Sequence, residues 1–211
     1  MIVGLVPAAG KSVRFGRNKL LELIDNRTVL EHVMSALRAG GASAVVVVAR
    51  EDATLPKVLE RAGAWPVVLE YETADMRETV EAGLQWLARQ RKTVEAWLLC
   101  PADYPAIGAD VVRQLIMSYR TGIREAVYVP TYQGRRGHPV LLAWSHAERL
   151  WRFPKTAGIN AYIRQQPVVE VAVACPGILY DLDTVEDLAR LRAFWESSLQ
   201  SATGLCDNAT P

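Results

Sequence analysis

A continuous run of apolar, mostly β-branched residues, Ala44–Ala49 (AVVVVA), constrains the fold of this chain more than any other segment. A strand that exposes one face to water alternates apolar with polar residues, whereas this run is apolar throughout. It therefore predicts a strand buried on both faces. Strands of that kind belong to sheets that are covered by helices on both sides, which favours an α/β architecture.

Other strand and helix patterns alternate along the chain, as in βαβ units. Thr28 and Glu31 have the spacing of a helix capping box, and Gly40-Gly41 ends the helix that begins there. The alternation breaks between 126 and 173, where antiparallel strands are expected. The other predicted strands are Ile2–Pro7, Val67–Glu70, Ala96–Cys100, Ala126–Pro130, Pro139–Leu142 and Val168–Val173. The other predicted helices are Leu55–Ala62, Met76–Arg89, Ala109–Tyr119, Ser145–Trp151, Gly158–Arg164 and Val185–Leu199.

These elements predict a Rossmann-like three-layer sandwich, with a mostly parallel sheet and helices on both faces. The 211 residues are expected to form one domain over 1–200, followed by a disordered polar tail at 201–211. Three widely spaced cysteines predict neither disulfides nor a zinc site, and no basic segment precedes the N-terminal apolar run. A cytoplasmic location is therefore expected.

Charge and hydropathy exclude two classes of partner. Lys plus Arg number 24 against 23 Asp plus Glu, which leaves no basic excess for a nucleic-acid track. No apolar run approaches the roughly 18 residues that a membrane span requires. We therefore expect neither nucleic acid nor a membrane as a partner.

The loop after the first strand is a candidate phosphate site, because ligands of parallel sheets bind beyond the carboxyl ends of the strands. Small residues let a ligand approach the backbone, a hydroxyl can donate, and basic side chains suit a polyphosphate. An ordinary strand-to-helix turn with solvated basic residues is the alternative, and the combined spacing favours phosphate binding. The candidate residues are Ala8, Ala9, Gly10, Ser12, Arg14 and Lys19.

Two acidic segments follow later strands. Asp103 comes just after the strand that ends at Cys100 and suits a Mg²⁺ ligand, although it could instead cap a turn beside Pro105. Asp181 and Asp183 share one face of an extended segment, so either could face a site. The alternative there is structural, with Thr184 or Asp183 capping the last helix.

The turn Gly137-His138-Pro139 presents a histidine that is expected to orient a second substrate. Arg135 or Arg136 could reach a phosphate of that substrate. A lone histidine is more often structural, and only the neighbouring motifs favour the functional interpretation.

In this order, the four segments resemble the MobA-like nucleotidyltransferase family, and within it the molybdenum cofactor cytidylyltransferases. The family's opening pattern, Leu-Ala-Ala-Gly-x-Ser-x-Arg-Met-Gly-x-x-Lys, corresponds to Val6–Lys19. Its Asp-x-Pro corresponds to Asp103–Pro105, its Gly-His-Pro to Gly137–Pro139, and its closing Asp-x-Asp-Thr-x-x-Asp-Leu to Asp181–Leu188. The resemblance spans about residues 2–195 and implies the fold of the nucleotide-diphospho-sugar transferases.

The resemblance also implies an enzyme that transfers a nucleoside monophosphate, with CMP from CTP favoured, to a phosphorylated acceptor such as molybdopterin. Arg14, Lys19 and Asp103 would be catalytic, and Thr79 would join the nucleotide site. Asp103 and Asp181 would hold Mg²⁺, with Mn²⁺ as an alternative. The acceptor would meet Gly137, His138 and Asp183, and a molybdoenzyme or its chaperone would be a possible protein partner.

Two segments depart from the family pattern. Asp75 and Glu78 stand where relatives carry small residues, and Lys155–Asn160 keeps only the glycine of a Gly-Asp-x-Gly-x-Arg motif. These departures imply a different acceptor or reduced activity. The alternatives are therefore a transferase for a sugar or polyol phosphate and a non-catalytic nucleotide-binding regulator.

Overall fold

A computed structural model describes residues 1–50, 55–90 and 93–203. The strands in these ranges are β1 (Ile2–Pro7), β2 (Leu23–Ile24), β3 (Arg27–Thr28), β4 (Ala44–Arg50), β5 (Trp65–Leu69), β6 (Ala96–Leu99), β7 (Val127–Tyr132), β8 (Arg135–Arg136), β9 (Val140–Ala143) and β10 (Val168–Ala172). The α-helices are α1 (Val29–Ala39), α2 (Leu55–Arg61), α3 (Met76–Arg89), α4 (Ala109–Thr121), α5 (Ser145–Arg152), α6 (Ile159–Arg164) and α7 (Val185–Thr203).

One eight-stranded sheet has the order β10-β7-β9-β6-β1-β4-β5, and β8 pairs with β7. Strands β6, β1, β4 and β5 are parallel, as the βαβ pattern predicts. Strand β9 is antiparallel to both β6 and β7, which confirms the expected break after residue 126. The architecture is the predicted mostly parallel α/β sandwich.

The central strands are buried on both faces. Val45, Val46, Val47 and Val48 are each 0 % exposed. Because successive side chains of a strand point to opposite faces, Val45 and Val47 pack in one core with α1 and α4, while Val46 and Val48 pack in a second core with α3. The apolar run that defines the fold is therefore shared by both cores.

Local signals in the sequence account for several element ends. The Thr28 hydroxyl accepts from the Glu31 N–H and the Glu31 carboxylate accepts from the Thr28 N–H, so α1 begins with the predicted capping box. The β2–β3 hairpin was not predicted. Its turn residues, Asp25 and Asn26, both have positive φ (48° and 59°), the conformation that a two-residue hairpin turn requires.

Other boundaries differ from the prediction by a few residues. Strand β5 begins at Trp65 rather than Val67, and α7 continues through Thr203 rather than ending at Leu199. The tail predicted at 201–211 therefore starts as helix, and residues 204–211 lie outside the described part of the chain. No helix in the described ranges is both long and apolar enough to cross a membrane.

Helix α3 lies close to the sheet because it presents Gly83 to β1 and β4. A Cβ at Gly83 would stand 2.6 Å from side-chain carbons of both Leu5 and Val48, well inside van der Waals contact. Both residues are fully buried, so they have little room to move. The same helix carries Thr79 about one turn before Gly83.

We expect Gly83→Ala to lower the free energy of unfolding by about 1–3 kcal/mol, because overpacking outweighs the gain in helix propensity. Gln85→Ala, on the exposed face of the same helix, should change it by less than about 0.5 kcal/mol. Urea denaturation of the two variants would measure the difference. Equal stability would show that α3 can shift to admit the methyl group.

Candidate active site

The site forms where β1 and β6 end side by side. The strands are parallel, with Leu5 opposite Leu99, so the loops that follow them leave the same edge of the sheet. The Ala102 N–H donates to the Pro7 carbonyl (3.3 Å), and the Leu182 N–H donates to the Asp103 carbonyl (2.9 Å). These bonds join the two loops to the segment that precedes α7.

A cavity of about 670 Å³ opens at this edge, within the size range of small-molecule sites. Every residue expected to bind nucleotide lines it: Ala8, Ala9, Gly10, Ser12, Arg14, Lys19 and Thr79. Asp103 and Asp183 also line it, whereas Asp181, Gly137 and His138 are not among its lining residues.

The loop after β1 folds around the cavity through residues with positive φ. Ser12 and Gly16 both have positive φ (51° and 78°), and the Lys19 N–H donates to the Ser12 hydroxyl at 3.4 Å. A Cβ at Gly10 would meet no heavy atom within 4 Å, so this position faces open space. The loop thus keeps its backbone accessible to a ligand, as its small residues predict.

Lys19 joins the two acidic segments. Its Nζ donates to Asp103 Oδ2 at 2.7 Å and to Asp183 Oδ1 at 2.8 Å. The three side chains are 14 %, 23 % and 27 % exposed respectively, so solvent screens these ion pairs only partly. Burial alone would lower the pKa of Lys19, but the two carboxylates outweigh it and raise the pKa above its usual value, so Lys19 is a cation.

Arg14 supplies a second positive charge, which is more exposed to solvent than that of Lys19. Its Nη2 lies 2.9 Å from Asp183 Oδ2, but its side chain is 75 % exposed. An exposed ion pair of this kind contributes little to stability and can exchange its partner at low cost. Arg14 is therefore free to turn towards an anion that enters the cavity.

The second carboxylate beside Lys19 is Asp183, whereas Asp181, which was predicted to share a metal with Asp103, does not line this cavity. Leu182 is fully buried, and its backbone N–H donates to the Asp103 carbonyl. The next residue, Asp183, therefore lies beside Lys19. Asp181 instead lines a second cavity of about 330 Å³. Asp181 still acts electrostatically on Tyr104 and His138.

Gly137 and His138 lie beside the site rather than in its cavity. A Cβ at Gly137 would stand 2.3 Å from the Ile178 carbonyl oxygen, so glycine is needed for packing there. The His138 ring makes an edge contact with Tyr104, with the ring centroids 4.8 Å apart. His138 Nδ1 is buried and has no hydrogen-bond partner in the described structure.

The two basic residues of the neighbouring hairpin are used differently. Arg136 forms an ion pair with Glu170 at 2.8 Å, so its guanidinium already has an anionic partner. Arg135 lines the 330 Å³ cavity together with Asp181 and Tyr180. Arg135 is therefore the better placed of the two to meet an anion.

The acidic residues near α3, which depart from the family pattern, cap this helix. Asp75 Oδ1 accepts from the Glu78 N–H at 2.9 Å, and the Glu78 carboxylate accepts from the Ala74 N–H at 2.6 Å. Thr79 keeps its hydroxyl at the cavity, 2.7 Å from the Thr73 hydroxyl. Asp75 therefore both caps α3 and lines the cavity, whereas Glu78 is not among the lining residues.

Sequence reasoning missed Arg77, which connects the two departing segments. Its guanidinium is 3 % exposed and donates to Glu81 (2.8 Å) and to the carbonyl oxygens of Leu150, Phe153, Pro154 and Ala157. Glu81 also binds Lys155. No local signal marks these contacts, because the carbonyls lie 73–80 residues further along the chain.

A family model described as the MobA-like NTP transferase domain matches residues 4–171, which include most of β1, all of β6 and both loops at the site. The chain belongs to the MobA-like NTP transferase family. A comparison with curated proteins found no match.

Solved structures share the fold. Rv0371c from Mycobacterium tuberculosis H37Rv is 24 % identical with a TM-score of 0.74, over 92 % of this chain and 98 % of that one. A second structure of Rv0371c, described as a complex with manganese, is 25 % identical with a TM-score of 0.69, over 91 % and 98 %.

More distant structures extend the same comparison. A nucleotidyl transferase from Methanothermobacter thermautotroptrophicus is 16 % identical with a TM-score of 0.76, over 94 % of this chain and 99 % of that one. A CMP:2-keto-3-deoxy-manno-octonic acid synthetase complexed with CTP is 14 % identical with a TM-score of 0.71, over 93 % and 99 %. These likenesses confirm the nucleotide-diphospho-sugar transferase fold.

We expect Arg77→Met to lower the free energy of unfolding by about 3–5 kcal/mol, because it leaves buried Glu81 and several carbonyl groups without their donor. Lys155→Met removes only the exposed partner of Glu81 (Lys155 is 64 % exposed) and should cost at most about 1 kcal/mol. Chemical denaturation would compare the two. Similar losses of unfolding free energy in the two variants would contradict the conclusion that the buried contacts of Arg77 stabilise the fold.

A pH dependence follows from His138, whose burial lowers its pKa from 6.5 to about 4. Between these values the unfolded chain binds a proton that the folded chain does not, so folding stability should fall as the pH drops from about 6.5 to 4. His138→Gln should show a smaller fall over that window, measured by urea denaturation at several pH values. An unchanged pH dependence would contradict this account.

Proposed function

We propose that this protein is a nucleotidyltransferase that binds a nucleoside triphosphate in the 670 Å³ cavity and transfers its nucleoside monophosphate to a phosphorylated acceptor. An oxygen of the acceptor's phosphate attacks the α-phosphorus. A new bond forms between that oxygen and the α-phosphorus. The bond between the α-phosphorus and the oxygen that bridges it to the β-phosphorus breaks, and pyrophosphate leaves. Such a reaction needs positioned reactants and neutralised charge more than covalent chemistry from the protein.

One observation carries the proposal: Lys19, at the end of the loop after β1, contacts both Asp103 and Asp183 inside a cavity lined by that loop. The cavity thus combines accessible backbone with an ion-paired cluster of two cations, Arg14 and Lys19, and the two carboxylates. A polyphosphate needs the first two, and a divalent cation that accompanies it needs the third.

The carboxylates fit a hard divalent cation, Mg²⁺ or Mn²⁺. Both approach a single ammonium group within 2.8 Å, so they already share a cation between oxygen ligands. No cluster of three or more His, Cys, Asp or Glu suited to a metal occurs among the described residues. Two carboxylates plus substrate phosphates is the usual arrangement for Mg²⁺. When bound by Asp103 and Asp183, the metal would supply positive charge to phosphate oxygens.

The chain's own residues would perform the other tasks. Backbone N–H groups at Ala9 and Gly10 and the Ser12 hydroxyl would hold the nucleotide, Ala8 would line its site, and Thr79 would close the opposite wall. Arg14 and Lys19 would bind the β- and γ-phosphates and stabilise the departing pyrophosphate. Partial burial of Lys19 strengthens that interaction, because little water screens it.

We propose CTP as the triphosphate and molybdopterin or a related phosphorylated compound as the acceptor. The Ala8-Ala9-Gly10 sequence supports CTP through its resemblance to the cytidine-using members of the family. The acceptor would approach from the side of His138, where Arg135 is exposed. A sugar or polyol phosphate would suit the same groups, and a molybdoenzyme or its chaperone would receive a molybdopterin product.

Pyrophosphate release with each of the four triphosphates tests the proposal. We expect Mg²⁺-dependent release with CTP plus a phosphorylated acceptor, and weaker release with the other triphosphates. Molybdopterin and a panel of sugar and polyol phosphates would distinguish the acceptor classes. Binding of a triphosphate without release in the presence of any acceptor would favour a non-catalytic regulator.

The two carboxylates can be tested against their neighbour Asp181. We expect Asp103→Asn and Asp183→Asn each to lower kcat by about a hundredfold or more, since each removes charge that faces the phosphates. Asp181→Asn should lower it far less, because Asp181 lines a different cavity. Steady-state kinetics on the three variants would decide, and a larger loss for Asp181→Asn than for Asp183→Asn would reverse the assignment.

A further inference from the structure

Lys19 occupies the space between two carboxylates in which a divalent cation would bind. We infer that Lys19 holds this place until a nucleoside triphosphate arrives, so that the protein binds the metal weakly alone and strongly together with the nucleotide. The inference rests on the proposed function for the location of the metal and the triphosphate, and it adds the order in which they bind.

The contacts around the carboxylates support this assignment. Lys19 Nζ lies 2.7 Å from Asp103 Oδ2 and 2.8 Å from Asp183 Oδ1, and Arg14 Nη2 lies 2.9 Å from Asp183 Oδ2. Three of the four carboxylate oxygens are therefore within reach of a side-chain cation. A metal ion that contacted the same oxygens would stand within a few ångströms of an ammonium group, where like charges repel strongly.

Charge balance favours entry of the metal with its nucleotide. The charges of the four ion-paired side chains cancel within their cluster, so a divalent ion bound there alone would add two positive charges that the cluster itself does not compensate. A triphosphate more than compensates them. It also offers Lys19 and Arg14 new anionic partners, which frees the carboxylate oxygens.

The side chains differ in how readily they can leave. Arg14 is 75 % exposed and can turn aside without desolvating its charge, whereas Lys19 is 14 % exposed and needs another anion inside the cavity. Lys19 is therefore the residue that opposes the metal. Its removal should uncouple metal binding from nucleotide binding.

The test measures binding of Mn²⁺ to the full-length protein by electron paramagnetic resonance of the free ion, without nucleotide. We expect wild type to bind weakly and Lys19→Met to bind about tenfold more tightly or better. Lys11→Met is the matched control, because it removes the same charge from the same cavity but from a residue paired with exposed Glu72. It should behave as wild type.

Two further measurements locate the ion and check folding. The double variant Lys19→Met/Asp183→Asn should lose the added affinity, because the second ligand is gone. Mn²⁺ should raise the Tm of Lys19→Met more than that of wild type, since an ion that binds only the folded state stabilises it. A folded Lys19→Met protein that binds Mn²⁺ no better than wild type would overturn the inference.

Wild type provides a test that needs no variant. Mn²⁺ affinity should rise by about 5- to 150-fold when the α,β-methylene analogue of the triphosphate is present, after correction for Mn²⁺ held by free analogue. Tight binding of Mn²⁺ by wild type without nucleotide would overturn the inference yet leave pyrophosphate release intact. Loss of the proposed function would instead appear as absent pyrophosphate release, whatever the metal affinities.

Discussion

The parallel pairing of β1 with β6 is the constraint on which the site depends. It sets Leu5 opposite Leu99, so the loop that carries Lys19 and the loop that carries Asp103 leave the sheet together. The buried valines of β4 hold β1 from its other side. Three largely buried strands thus support three polar side chains in the loops that follow them.

Charge in this protein is concentrated locally although the chain as a whole is nearly neutral. A formal net charge of +1 gives no long-range attraction for polyanions. The cavity nevertheless contains a cluster in which two cations and two carboxylates are joined by three contacts shorter than 3 Å, and water screens Lys19 and its two partners only partly. Such a cluster can rearrange around a charged ligand without placing a net charge in the protein interior.

The sequence predicted those features whose signals are local. The β-branched run predicted the doubly buried strand, the Thr28 and Glu31 spacing predicted the capping box, and small and basic residues predicted the loop that lines the cavity. Which of Asp181 and Asp183 lies beside Lys19 was not predictable, because both share one face of an extended segment. Only the backbone pairing of Leu182 with Asp103 decides between them.

The Arg77 cluster had no comparable signal, and it changes how the two unusual segments should be interpreted. One guanidinium satisfies carbonyl groups at Leu150, Phe153, Pro154 and Ala157, so the conformation of that turn depends on a residue of α3. A relative with a small residue at position 77 must satisfy those carbonyls differently. Residues 74–79 and 150–158 therefore depend on each other structurally, and a chimaera that exchanges one of them with a relative must exchange the other.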